Sequence, residues 1–123
     1  WNLFLDWWNK QGYEVVEIEK KIYCKKYNYA GTLDLVVKDK KGNLVLIDIK
    51  TSNHITFDYF LQLNAYRFAY EEETNQKISK SFVVRLPKKD SEVEIKEIPL
   101  NKKLFNAFVG AKYLMEQMES IEK

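Results

Sequence analysis

The chain has 123 residues, 46% of them hydrophobic and 31% charged, which is enough apolar material for one packed domain and too much for a disordered or collagen-like segment. Its formal charge is only +2, so no uniformly cationic surface points to a nucleic-acid partner, and any such contact must come from a local patch. No apolar run reaches the roughly 18 to 20 residues of a bilayer span, and the N-terminus lacks the basic, apolar and small-residue order of a secretion signal, which favours an intracellular protein.

Residues Trp1 to Gln11 place Leu3, Phe4, Trp7 and Trp8 at helical spacing, and Gly12 stands where a helix would stop, so the spacing predicts a short helix whose aromatics cover a sheet. From Tyr13 to about Tyr23, Val15, Val16, Ile18 and Ile22 interleave with Glu and Lys, which predicts a strand bent near Glu19 to Lys21. Gly31 to Lys38 and Leu44 to Lys50 flank the polar turn Asp39 to Asn43, a hairpin in which Gly42 and Asn43 supply the turn chemistry. After the loop Thr51 to Phe57, residues Asp58 to about Glu73 carry Phe60, Leu61, Ala65, Phe68 and Ala69 on a helical stripe, with Asp58 placed to cap it. Ser81 to Leu86 and Glu92 to Ile98 read as strands around the turn Pro87 to Ser91, and Leu104 to about Ile121 as a final helix. The expected class is α/β: a central mixed sheet of about five strands flanked by helices, with a helical crossover joining the third strand to the fourth. A single domain over residues 1–123 is expected; because it begins at Trp1 instead of Met, the expectation includes excision from, or truncation relative to, a longer protein.

The strand Leu44 to Lys50 is apolar until it ends in Asp48 and Lys50, whose side chains share one face because they lie two apart. Counting back from the turn sets Lys38 against Leu44, Val36 against Leu46 and Asp34 against Asp48. Opposed carboxylates near a core are destabilising unless a positive charge lies between them, and a divalent cation is the natural solution. One cysteine, Cys24, and one histidine, His54, exclude a disulfide framework, a multi-cysteine zinc site and a His-rich metal site, so the donors would be oxygens, which favour Mg²⁺ or Mn²⁺ and phosphate chemistry. Lys50 beside such an ion is suited to orient or deprotonate the attacking water, or to offset developing charge, at a phosphodiester.

The segments Gly31-Thr-Leu-Asp34, Asp48-Ile-Lys50-Thr-Ser and Gln62-Leu-Asn-Ala-Tyr66, in this order across roughly residues 13 to 85, resemble the PD-(D/E)XK nuclease superfamily in its RecB-like exonuclease branch. The resemblance implies a restriction-endonuclease-like core. It also implies metal ligation by Asp34, Asp48 and the backbone carbonyl of Ile49, catalysis by Lys50, and substrate contact by Thr51, Gln62 and Tyr66. Glu19 stands where related nucleases carry a further acidic ligand, with Glu17 the competing choice on the same face of a regular strand. Many members of that branch add a histidine from an upstream helix, whereas the helix here offers Asp6 and no histidine. The implied function is a Mg²⁺- or Mn²⁺-dependent deoxyribonuclease acting on DNA single strands or duplex ends in recombination, repair or phage replication. The rival expectation is a catalytically silent module that binds nucleic acid or protein within a larger assembly.

Simpler readings stand beside these. Asp48 and Lys50 alone could be an ion pair of little consequence, and Tyr66 beside Ala65 and Ala69 reads most simply as a half-buried core residue with its hydroxyl in water. Lys38, Lys40 and Lys41 read as a solvated hairpin tip, with Lys25-Lys26 and Lys88-Lys89 treated alike. His54 reads as an exposed loop residue, and Trp1, Trp7 and Trp8 as cover for the core.

Overall fold

In the computed structural model, which describes residues 2–51, 54–86 and 93–122, the elements follow the order α1 (Asn2–Gln11), β1 (Glu14–Cys24), β2 (Tyr29–Lys38), β3 (Leu44–Lys50), α2 (Phe57–Thr74), β4 (Ile78–Arg85), β5 (Glu94–Ile98) and α3 (Lys102–Glu122). The strands form one five-stranded sheet in the order β1-β2-β3-β4-β5. All neighbours are antiparallel except β3 and β4, which run parallel because α2 carries the chain back across the sheet.

β3 is apolar throughout its first four residues because both of its faces are covered. Leu44 and Leu46 pack with Leu63, Ala65 and Ala69 of α2, with Phe105 and Phe108 of α3 at the margin. Val45 and Ile47 pack on the opposite face, under Phe4, Trp7 and Trp8 of α1. Burying each such aliphatic side chain contributes about 1.5–3 kcal/mol, so the centre of the sheet is stable enough to hold an unfavourable charge at its end. Phe105 stacks on Phe68 with ring centroids 4.4 Å apart and so seats the first half of α3 on α2. The second half leaves Tyr113, Leu114, Met115, Met118 and Ile121 exposed.

The hairpin turn is built as its residues suggest. Gly42 takes φ +83°, and Asp39 Oδ1 accepts from the backbone N–H groups of Lys41 and Asn43, both at 2.9 Å. The register places Lys38 against Leu44 and Val36 against Leu46.

Two expected boundaries are corrected. Thr56, in extended conformation, occupies the cap of α2, and Asp58 lies inside the first turn, where its charge suits the positive end of the helix. β4 starts at Ile78, three residues before Ser81, because Ile78 N donates to Glu71 Oε2 at 2.8 Å and its side chain enters the core. The turn Pro87 to Ser91, the pair Lys88-Lys89 and Trp1 lie outside the described residues.

The bend expected near Glu19 has a sharper form than a curved strand. Leu33 and Val36 of β2 both enter the α2 side although they are three apart, while Leu35 enters the α1 side, so the two-residue alternation slips at Asp34. Across the ladder, Ile18 pairs with Leu35 and Lys20 with Leu33, and between them Glu19 adopts φ +50°, a left-handed conformation costly for a side chain with a Cβ.

Candidate active site

Asp48 is 2% exposed at the end of β3, and its Oδ2 lies 3.0 Å from Lys50 Nζ on the same face of the strand. The two charges form an ion pair at that distance, and Oδ2 is buried with no further protein donor. The ladder between β2 and β3 is paired as far as Leu35 and Ile47; one step on, where the strands part, stand Asp34 and Asp48. Asp34 Oδ2 accepts from the backbone N–H of Ile49 at 2.8 Å, which fixes one carboxylate beside the other.

Burial, and then the neighbouring Asp34, push the Asp48 carboxyl up to about 7 against the lowering pull of Lys50. Burial works against the Lys50 ammonium, yet Asp48 and then Asp34 outweigh it and the net shift of Lys50 is upward. The site therefore sets one firmly held cation against two carboxylates and is short of positive charge.

α2 forms the wall over this pair. Gln62 Nε2 donates to Tyr66 Oη at 2.8 Å, and Lys50 Nζ lies 5.0 Å from the centre of the Tyr59 ring. Tyr66 does border the core as its spacing suggests, but its hydroxyl is engaged by Gln62, and burial first and Asp48 next raise its pKa. The Tyr66 ring is accommodated by Gly31, whose missing Cβ would stand 2.8 Å from Tyr66 Cζ.

Glu19, Asp34 and Ile49 line one small cleft of about 340 Å³. Glu17 instead lies toward Lys20 and Tyr70, whose ionisation its charge affects, so the left-handed turn of Glu19 separates two glutamates that a regular strand would put together. Thr51 is exposed at the end of β3, and His54 is exposed in the following loop. Cys24 is buried and reduced.

Among the described residues no three His, Cys, Asp or Glu side chains form a metal-binding group. The donors that do converge are hard oxygens, one of them the buried Asp48 oxygen paired with Lys50. That set fits a Mg²⁺-type ion, which keeps several waters and takes other ligands from substrate phosphate. The sequence reading missed Tyr59, although its spacing of three and seven from Gln62 and Tyr66 places it on the same helix face. It also missed Asn64, which is 2% exposed and ties α2 to the β5–α3 connection: Nδ2 donates to Phe60 O and Pro99 O, and Oδ1 accepts from Asn101 N.

The model of the family described as the PD-(D/E)XK nuclease superfamily matches residues 3–122. A solved structure, the crystal structure of SSO0001, is similar to this chain with a TM-score of 0.54 at 20% sequence identity, over 92% of this chain. The matched region is 56% of that protein, so the chain spans little more than half of its length. No curated protein matches the sequence. Among the described residues no helix is long and apolar enough to cross a membrane.

Proposed function

The chain belongs to the PD-(D/E)XK nuclease superfamily, and from that premise we propose that it is a Mg²⁺- or Mn²⁺-dependent deoxyribonuclease whose centre is Asp34, Asp48 and Lys50. Its five-stranded mixed sheet flanked by helices is the restriction-endonuclease-like α/β fold. The observation that carries the reading is the buried Asp48 carboxylate, which stands beside the carboxylate of Asp34 with the Lys50 ammonium, 3.0 Å from its Oδ2, set against the two, an arrangement that a merely structural ion pair does not need.

In this reading Asp34, Asp48 and the Ile49 carbonyl would hold the ion, with Glu19 as a further ligand. Such an ion, when bound, polarises the phosphoryl oxygen and lowers the pKa of a water molecule. Lys50 keeps its proton, lies outside the ion's ligand shell, orients the attacking water and offsets negative charge as it builds on phosphorus. The Tyr59 face holds the ammonium in place. Gln62 presents its amide to the scissile phosphate while Tyr66 sets the amide's direction, and Thr51 approaches the same phosphate or the DNA beside it.

The three ordered motifs favour a RecB-like exonuclease or single-strand-active enzyme of recombination, repair or phage replication, working in the cytoplasm of a prokaryotic or phage-infected cell, alone or within a longer polypeptide. Labelled single- and double-stranded DNA, with RNA alongside, is incubated with Mg²⁺, Mn²⁺ or EDTA. Metal-dependent cleavage of DNA is expected, and none from clean protein would favour a silent binding module.

A further inference from the structure

Beside Lys50 and Gln62 the molecule opens into a second, larger cleft of about 600 Å³ between the first half of α2 and the second half of α3. Its size falls within the roughly 300–1,000 Å³ of small-ligand sites. The walls are largely apolar and aromatic: Tyr59, Leu61, Phe108, Ala111 and Met115. Its charged groups besides Lys50 are the carboxylates of Asp58, Glu116 and Glu119 and a single ammonium, Lys112, which is paired with Glu116.

That chemistry repels a phosphate backbone and suits a flat, neutral ring that carries N–H donors. Lys50 and Gln62 of the candidate active site line this cleft, so a nucleotide whose phosphate lies at Lys50 has its base at the mouth of the cleft. A base inside a duplex offers its faces to its neighbours and its pairing edge to its partner. Only an unpaired base can give an aromatic wall a free face and a carboxylate a free amino group.

We propose that the cleft between α2 and α3 is a base pocket that takes an unpaired nucleobase bearing an exocyclic amino group, from the strand whose phosphate meets Lys50. The proposal rests on the nuclease reading only for the placement of that phosphate. Cytosine fits, its N4 amino group donating to a carboxylate of Asp58 or Glu119, whereas thymine presents a carbonyl at the same position and meets repulsion.

The test is fluorescence anisotropy with labelled octamers of dC and dT in Ca²⁺, using the parent protein and Ala111→Trp, a change at an exposed helix position that fills the cleft. The parent should bind the dC octamer at least about fivefold tighter than the dT octamer, since one such contact is worth about 1 kcal/mol or more. Ala111→Trp, with an unchanged melting temperature, should lose the preference and weaken dC binding by at least about fivefold, the low end of one stacked base. Equal affinity of the parent for the two octamers, or dC binding by Ala111→Trp equal to the parent's, would overturn the proposal. Hydrolysis of bis(p-nitrophenyl) phosphate, which has no base, is measured in parallel. Its absence with the dC preference intact would sink the nuclease reading and leave the pocket, and its presence without the preference would do the reverse.

Discussion

A Cβ on Gly31 would stand 2.8 Å from Cζ and 3.0 Å from Oη of Tyr66, so the tyrosine ring occupies the space that any other residue at position 31 would fill. The backbone of β2 thus sets the depth of a side chain on α2, and with it the position of the Gln62 amide that donates to Tyr66.

Gly31→Ala should force the ring outward and break the bond to Gln62, with an overpacking cost of about 1–3 kcal/mol and at least a tenfold loss of DNA cleavage. The stability loss should vanish when the substitution is made in a Tyr66→Ala background. A thermal melt of the four proteins of that cycle checks it; strict additivity of the two changes would show that the contact is not the cause.

Lys50→Ala should leave metal and DNA binding largely intact while cleavage falls by roughly a hundredfold or more. Asp48→Ala should lose metal binding and cleavage together, and Gln62→Ala should give an intermediate fall in rate with metal affinity little changed. Single-turnover cleavage alongside isothermal titration with Mn²⁺ separates the three. Full activity in Lys50→Ala would remove the lysine from the mechanism.

Without metal, Asp34→Asn should raise the melting temperature by about 3 °C, because it takes away one of two facing carboxylates and keeps an oxygen for the Ile49 N–H. Mg²⁺ or Mn²⁺ should stabilise the parent by binding only the folded state and should not stabilise the variant. Calorimetry with and without metal measures both effects.

The raised pKa of Asp48 fixes the sign of a pH dependence. Its folded value of about 7 lies above the ordinary 3.8, so between them the folded protein holds a proton that the unfolded chain has released. The metal-free protein should therefore lose stability as pH rises from about 4 to about 7 and level off above, a slope absent from Asp48→Asn. Since the ion needs the ionised carboxylate, the rise in melting temperature on adding Mn²⁺ should be larger at pH 8 than at pH 5.5.

The β2–β3 register was legible as far as Leu35 against Ile47 because a turn with Asp39, Gly42 and Asn43 leaves little freedom once Lys38 meets Leu44; the expected direct pairing of Asp34 with Asp48 lies beyond the paired ladder, and Asp34 instead comes beside Asp48 by accepting from Ile49 N–H. The expectation of a five-stranded mixed sheet holds for the same reason: strong alternation and an apolar β3 outweigh local ambiguity. The start of β4 was hidden because Lys77, Ser79 and Lys80 make its exposed edge look like a loop. Glu19 was beyond reach in a different sense, since nothing in a glutamate announces a left-handed backbone. The cleft beside Lys50 was equally invisible, because it depends on where α3 lies over α2, and that angle is set by the stacking of Phe68 on Phe105.

The parallel pairing of β3 with β4 gives the site a two-stage assembly. Asp34, Asp48, Lys50, Tyr59, Gln62 and Tyr66 all come from one hairpin and the helix that follows it, so the loops that bring them together are short and their closure entropy is small. Yet the backbone oxygen of Lys50 is held by Leu86 N at 2.7 Å, just past the end of β4, and the last residues of β3 pair only with β4. A nascent chain that has emerged only as far as Thr74 already contains every one of those side chains, but not the strand that fixes the lysine among them.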